Sequence, residues 1–155
     1  MMILGASTAL TFTLNSLASS ATVGRQSAII DFTGGGIDDC KVSFIFKNGS
    51  SAVGAGLGVT IYLLRSQDGT NWEGSNAEAA GGGDSAMTID AVTNLRPIWF
   101  EAQPAANGVY NVIMDSIAAL CGGVLPCKIA FCVVQNTTQA LASSGNSAAY
   151  RTLTY

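Results

Sequence analysis

The chain has 155 residues, of which 48% are hydrophobic and only 11% charged, well under the roughly 25% charged expected of an average soluble domain. That length suits one domain with a sizeable core, and the shortage of charge leaves a surface made of Ser, Thr, Asn and Gly or covered by other chains. The net charge of −3 comes from seven basic and ten acidic residues spread along the chain, so the basic footprint of a nucleic-acid binder is missing.

The N-terminal stretch MMILGASTALTFTLNSLASSA has the outline of a secretory leader. No Lys or Arg precedes its apolar part, however, and Ser7, Thr8, Thr11, Thr13 and Asn15 interrupt it, so no cleaved leader is expected. Thr11–Leu14 alternates weakly and Ser16–Thr22 reads as a small-residue linker. Residues 1–22 are therefore expected to form an arm outside the core. Leu10, Phe12 and Leu14 are its candidates for packing on a neighbouring subunit, with a frayed terminus as the plain alternative. Residues 23–155 form the expected folded domain.

Within that domain, Ser27–Phe32 reads as a short strand closed by Thr33-Gly34-Gly35-Gly36. Cys40–Lys47 alternates cleanly, with Cys40, Val42, Phe44 and Phe46 on one face and Lys41, Ser43 and Lys47 on the other, the pattern of a half-buried antiparallel strand. Gly58–Leu64 is apolar on both faces and reads as a central strand. Ser66-Gln67-Asp68-Gly69 then supplies turn chemistry, since Asp-Gly accepts the positive φ angles of a tight reversal. Trp72 follows as an anchor able to fold back over the strand. Asp68, Gly69 and Trp72 thus make up an expected structural clasp.

Gly74–Asp84 is loop and Met87–Ile89 a short strand. Asn94–Ala102 is another, and Pro97, which cannot donate to a ladder, puts it at an edge or a bulge. A loop ending in Asn107-Gly108 leads to Val109–Met114, so these two strands are expected to form a hairpin. Asp115–Leu120 is the one expected helical turn, capped by Asp115 or Ser116 and ended by Gly122-Gly123. Lys128–Gln135 is the second strand apolar on both faces, Asn136–Asn146 is polar loop, and Ala149–Tyr155 is the last strand. About eight strands without intervening helices predict an all-β fold, a single antiparallel β-sandwich of the jelly-roll type.

Candidate chemistry is sparse. The chain has no histidine, so neither a serine triad nor a cysteine–histidine pair can be built. Five and four residues separate Cys121, Cys127 and Cys132, which is not zinc-ligand spacing. These cysteines and Cys40 read as small buried hydrophobes, although a Cys121–Cys127 pairing stays open. Gly34–Gly36 and Gly81–Gly83 lack the Gly-Lys-Ser/Thr context of a phosphate cradle. Paired carboxylates such as Asp90 and Glu101 are formally available for glycoside hydrolysis, but no spacing selects a pair. Asp38, Asp39 and Asp84 lack the pattern of a calcium loop and suit turn capping instead. Trp72, Trp99, Tyr62 and Tyr110 could line a carbohydrate-binding face, with core packing as the commoner fate. No stretch approaches the roughly 18 apolar residues of a membrane span. No catalysis, cofactor or metal is expected, and neither nucleic acid nor a membrane is an expected partner.

Four segments in order resemble a group of small virion proteins of tailed bacteriophages: SSATVGRQSAIID (Ser19–Asp31), YLLRSQDGTNW (Tyr62–Trp72), TNLRPI (Thr93–Ile98) and AALCGGVLPCKIAFCVVQNTT (Ala118–Thr138). The last is similar to a pattern of Gly-Gly-x-Leu-Pro-x-Lys followed by an apolar strand and Asn-x-Thr. Cysteine at 121, 127 and 132 departs from the small or apolar residues of that pattern. The resemblance implies a non-enzymatic structural role in the virion. The reading that follows is a capsid decoration or cement protein, a homo-oligomer (a trimer) bound to the major capsid protein or other virion proteins. A tail or neck component is the first alternative, and a carbohydrate-binding β-sandwich module the second.

Overall fold

A computed structural model of the protein describes residues 2–74, 83–89 and 95–155. Its strands are β1 (Ile3–Leu4), β2 (Thr8–Ala9), β3 (Val23–Gln26), β4 (Ile30–Asp31), β5 (Asp39–Lys47), β6 (Gly58–Ser66), β7 (Ser85–Thr88), β8 (Arg96–Ala102), β9 (Val109–Met114), β10 (Lys128–Asn136) and β11 (Ser147–Thr154). One helical turn, α1 (Ile117–Leu120), lies between β9 and β10. Every strand pair is antiparallel, as expected where turns and not crossover helices join the strands.

The strands form two sheets. The first runs β1/β2-β11-β5-β9, with β1 and β2 sharing one edge of β11; the second runs β7-β3/β4-β10-β6-β8, with β3 and β4 sharing one edge of β10. Pairing is nested along the chain: β1/β2 with β11, β3/β4 with β10, β5 with β9, and β6 with β8. The fold is therefore all-β, built from two antiparallel sheets.

The sheets meet face to face because their period-two apolar sets point at one another. Cys40, Val42, Phe44 and Phe46 of β5 join Ile61 and Leu63 of β6 and Ile129, Phe131 and Val133 of β10 in a single buried cluster. Phe44 is its hub, with the rings of Phe12, Phe46 and Phe131 at 6.3, 5.8 and 5.4 Å. β6 and β10 are interior strands, and their apolar outer faces are covered as well. Leu64, Ala130, Cys132 and Val134 pack with Met87, Ile89 and Leu95 in a second cluster, against which Tyr62 and Trp72 lie.

Several expectations need correction. Leu10, Phe12 and Leu14 are not carried on a free arm: all three are buried in the main core, Leu14 to 1% exposure. Their own alternation explains this, since it points every second side chain of residues 10–14 between the sheets. Backbone bonds hold the segment there, Leu10 N–H donating to Ala148 O (2.9 Å) and Ser16 N–H to Ala142 O (3.1 Å). The folded unit thus begins near Ile3 and not at residue 23.

The strand expected over Ser27–Phe32 is split. Ser27 N–H donates to Phe131 O (2.8 Å) but its Oγ takes the return bond from Phe131 N–H (3.0 Å), and Ala28 N–H turns to Thr11 O (2.8 Å), which interrupts the ladder between β3 and β4. The hairpin expected between β8 and β9 does not form; β8 pairs with β6 in one sheet and β9 with β5 in the other. The intervening loop crosses the edge of the molecule, anchored by Gln103 N–H on Leu57 O and Asn107 N–H on Gly49 O. Pro97 lies on edge strand β8, where the register with β6 shifts by a bulge. Among the described residues no helix is long and apolar enough to cross a membrane.

Candidate functional site

Arg65, the penultimate residue of β6, starts the clasp. Its carbonyl accepts from Glu73 N–H (3.0 Å), and its Nε and Nη2 donate to Glu73 Oε1 (2.9 Å) and Oε2 (2.7 Å), a bidentate closure of the loop. Inside it the Asp68 carboxylate accepts from Asn71 Nδ2 (2.7 Å) and from the N–H groups of Asn71 (2.7 Å) and Thr70 (2.8 Å), while Gly69 takes φ +76°. The Asn71 side chain, then the backbone donors, hold the Asp68 carboxyl well below the usual carboxylate range. Trp72, half-buried, leans on the outer cluster of the second sheet. The shallow cleft beside Trp72 is lined by Arg65, Asp68, Asn71 and Glu73. These groups are already bonded within the loop, so it has the chemistry of a fold element.

The other described carboxylates are committed in the same way. Asp31 accepts from Thr33, Asp38 from Tyr155 N–H (2.8 Å), and Asp39 from Cys40 N–H (2.7 Å) and Ala118 N–H (2.8 Å). Asp84 takes Arg25 Nε at 2.5 Å together with the backbone and hydroxyl of Thr13; Asp115 takes Lys41 Nζ at 2.9 Å. Glu101 accepts from Trp99 Nε1 (3.0 Å). Burial alone would raise the Asp84 carboxyl, but Arg25 and Thr13 outweigh it and the net shift is downward. Of the other candidate residues, Asp90 lies outside the described residues, as do Gly81, Gly82, Thr93 and Asn94. Among the described residues no group of three or more Cys, Asp or Glu side chains gathers as a metal site.

Cys40, Cys121 and Cys127 are free thiols, and Cys132 is buried. Burial, then the neighbouring Asp39, pushes the Cys40 thiol up to about 12. Burial also raises Cys121 despite the nearby Arg65 guanidinium. Neither is tuned as a nucleophile, which needs a lowered pKa. The aromatic candidates do not share a platform either. Tyr62 and Trp72 lie on the outer face of the second sheet, Trp99 stands opposite Ile61 at its β8 edge, and Tyr110 stands opposite Phe46 in the first sheet with its hydroxyl accepting from Ala105 N–H (2.9 Å).

The surface feature that stands out is one that sequence reading missed. At the edge where β8 and β9 lie close, Phe100, Val109 and Ile113 are 55%, 56% and 61% exposed and Trp99 is 40% exposed. A shallow cleft between the two strands is lined by Ile98, Trp99, Ile113 and Met114. The signal was present: Val109–Met114 is apolar on both faces, a pattern that suits an interior strand, yet β9 is an edge strand. The chemistry available here is apolar contact and strand pairing. Compared with protein-family models and with curated proteins, the chain matches none.

Proposed function

We propose that this chain is a non-enzymatic structural protein of a tailed-bacteriophage virion that decorates the capsid and cements neighbouring major capsid subunits. The observation that carries the reading is the nested strand pairing. An eight-position roll of β1/β2, β11, β5 and β9 facing β3/β4, β10, β6 and β8, with β7 as an added edge strand, fits a jelly roll, an architecture used in viral capsid proteins. The segment resemblance set out above points the same way. So does the surface chemistry: the described carboxylates are taken up by hydrogen bonds, and an exposed apolar edge suits a protein that works through contact area. Its mechanism is mass action, since binding only the assembled lattice stabilises that lattice.

Densitometry of purified virions tests this. A cement protein is present at a copy number close to that of the major capsid protein. A few copies per particle would assign the chain to the tail or neck instead, and absence from the particle would overturn the virion reading. The scattered placement of Tyr62, Trp72, Trp99 and Tyr110 gives no support to a glycan platform.

A further inference from the structure

Sheet edges are pairing templates, and folded proteins blunt them with short strands, proline, charge or bulges. Among the described residues, three of the four edges are blunted. β1 and β2 are two residues each, β7 is four, and β8 carries Pro97, Arg96, Glu101 and a bulge. β9 is different: Val-Tyr-Asn-Val-Ile-Met has six residues with no proline, charge or bulge. Among the described residues, no strand pairs with its other side.

The direction of its free backbone groups follows from its neighbours. Lys47 turns away from β9, its N–H donating to Asn146 Oδ1 (2.7 Å) and its carbonyl accepting from Ala142 N–H (2.8 Å), whereas Asn48 N–H donates to Gly108 O (3.0 Å). In an antiparallel ladder these directions alternate. Tyr110, Val112 and Met114 therefore bond toward β5, and Val109, Asn111 and Ile113 present N–H and C=O to the open side.

We propose that this edge is a self-pairing interface, with β9 joining β9 of a second copy in antiparallel register about a two-fold axis at Asn111. The occupant is read from the strand itself, which is self-complementary in that register. Val109 meets Ile113 of the second copy, Asn111 meets Asn111, and Ile113 meets Val109, each pair exchanging both backbone bonds. Shifting the axis to Val112 keeps the side chains on their faces but sets Asn111 against Ile113 and Val109 against Asp115. Matching apolar with apolar and amide with amide selects the Asn111 axis. The same approach brings the exposed Trp99 and the cleft beside Ile113 to the dimer seam. The proposed two-fold pair differs from the trimer expected from the sequence. The inference rests on edge geometry alone, so it stands or falls independently of the virion reading.

Oxidative cross-linking of the full chain, with Cys121→Ser and Cys127→Ser as background, tests the register. Facing residues of a hydrogen-bonded pair lie about 5.5 Å apart at Cα, within disulfide range. Asn111→Cys should form a covalent dimer. Ile113→Cys alone should not, because its counterpart is four residues out of register, roughly 13 Å away; mixed with Val109→Cys it should. In light scattering the unmodified chain should be a dimer. Asn111→Lys, which sets like charges face to face at an exposed position, should weaken dimerisation at least tenfold with an unchanged melting temperature. A monomeric unmodified chain, equal cross-linking by Asn111→Cys and Ile113→Cys alone, or an oligomer indifferent to Asn111→Lys would each overturn the proposal.

Discussion

Removing the first 16 residues separates a core segment from an arm. Leu10, Phe12 and Leu14 are all less than a tenth exposed and belong to the main core, with Phe12 edge-on to Phe44 at 6.3 Å. Buried Leu→Ala changes cost about 2–5 kcal/mol and Phe→Ala about 3–5; losing all three side chains removes about 7 kcal/mol or more. Whole domains of this size are stable by about 5–15 kcal/mol, so a chain starting at Leu17 should not hold its fold. A chain starting at Thr8 loses β1, the exposed Met2, Ile3 and Leu4, and the Gly5 N–H bond to Thr152 O (2.8 Å), and should lose about 1 kcal/mol. Leu14→Ala gives the graded version, about 3 kcal/mol. With a urea slope of about 2 kcal/mol/M, its unfolding midpoint should fall by about 1.5 M, read by tryptophan fluorescence. A Leu14→Ala midpoint within about 0.3 M of the parent, or a chain starting at Leu17 that unfolds cooperatively with the parent slope, would refute the core assignment and restore the arm.

Other substitutions test other parts of the fold. Gly58→Ala should cost about 3 kcal/mol in urea unfolding, because a Cβ there runs into the Glu101 backbone carbonyl of the paired strand. Trp72→Ala should cost about 2 kcal/mol, less than a fully buried tryptophan, and should speed labelling of Cys132, which lies in the cluster Trp72 covers. In the unmodified native chain, thiol reagents should reach the half-buried Cys121 and Cys127, and Cys40 and Cys132 only on unfolding. Asp84 has its carboxyl lowered in the folded state. Its contribution is therefore complete above the unfolded value of about 3.9 and lost as pH falls through the lower folded value. Asp84→Asn should cost about 1–2 kcal/mol at pH 7 and flatten the loss of stability below pH 4, measured by urea unfolding at a series of pH values.

What was legible in the sequence depended on whether a residue's neighbours in the chain decided its fate. The inward face of β5 and the two-sided burial of β6 and β10 could be read from alternation. The Asp68–Gly69 turn could be read from local hydrogen-bonding chemistry. Strand partners could not. β9 follows β8 after a six-residue loop yet pairs with β5, because sheet membership is a long-range choice that no local pattern encodes. The N-terminal segment was misread for a related reason. Leu10, Phe12 and Leu14 are too few to announce a strand, and their burial is decided by the gap left between two distant sheets. The exposed edge was overlooked because an apolar strand reads as interior whether its second neighbour belongs to the same chain or to another.

The two outer faces of the molecule are unequal, and this bears on the charge shortage. On the second sheet Leu64, Ala130, Cys132 and Val134 of the outer face pack with Met87, Ile89, Leu95 and Trp72, while Phe100, opposite Thr60 on the same face, is 55% exposed. On the first sheet, alternation turns Lys41, Ser43 and Ile45 of β5, Ala149 and Arg151 of β11, and Asn111 and Ile113 of β9 outward, and a shallow cleft opens among them. Of the few charges, Arg25, Arg65 and Lys128 on the second sheet are paired with Asp84, Glu73 and Asp31, and Lys41 on the first sheet is paired with Asp115, while Arg151 is exposed on the first sheet's outer face. A sheet that ends in the unblunted β9 and carries small and apolar side chains outward has both pairing groups and contact area on one side of the fold.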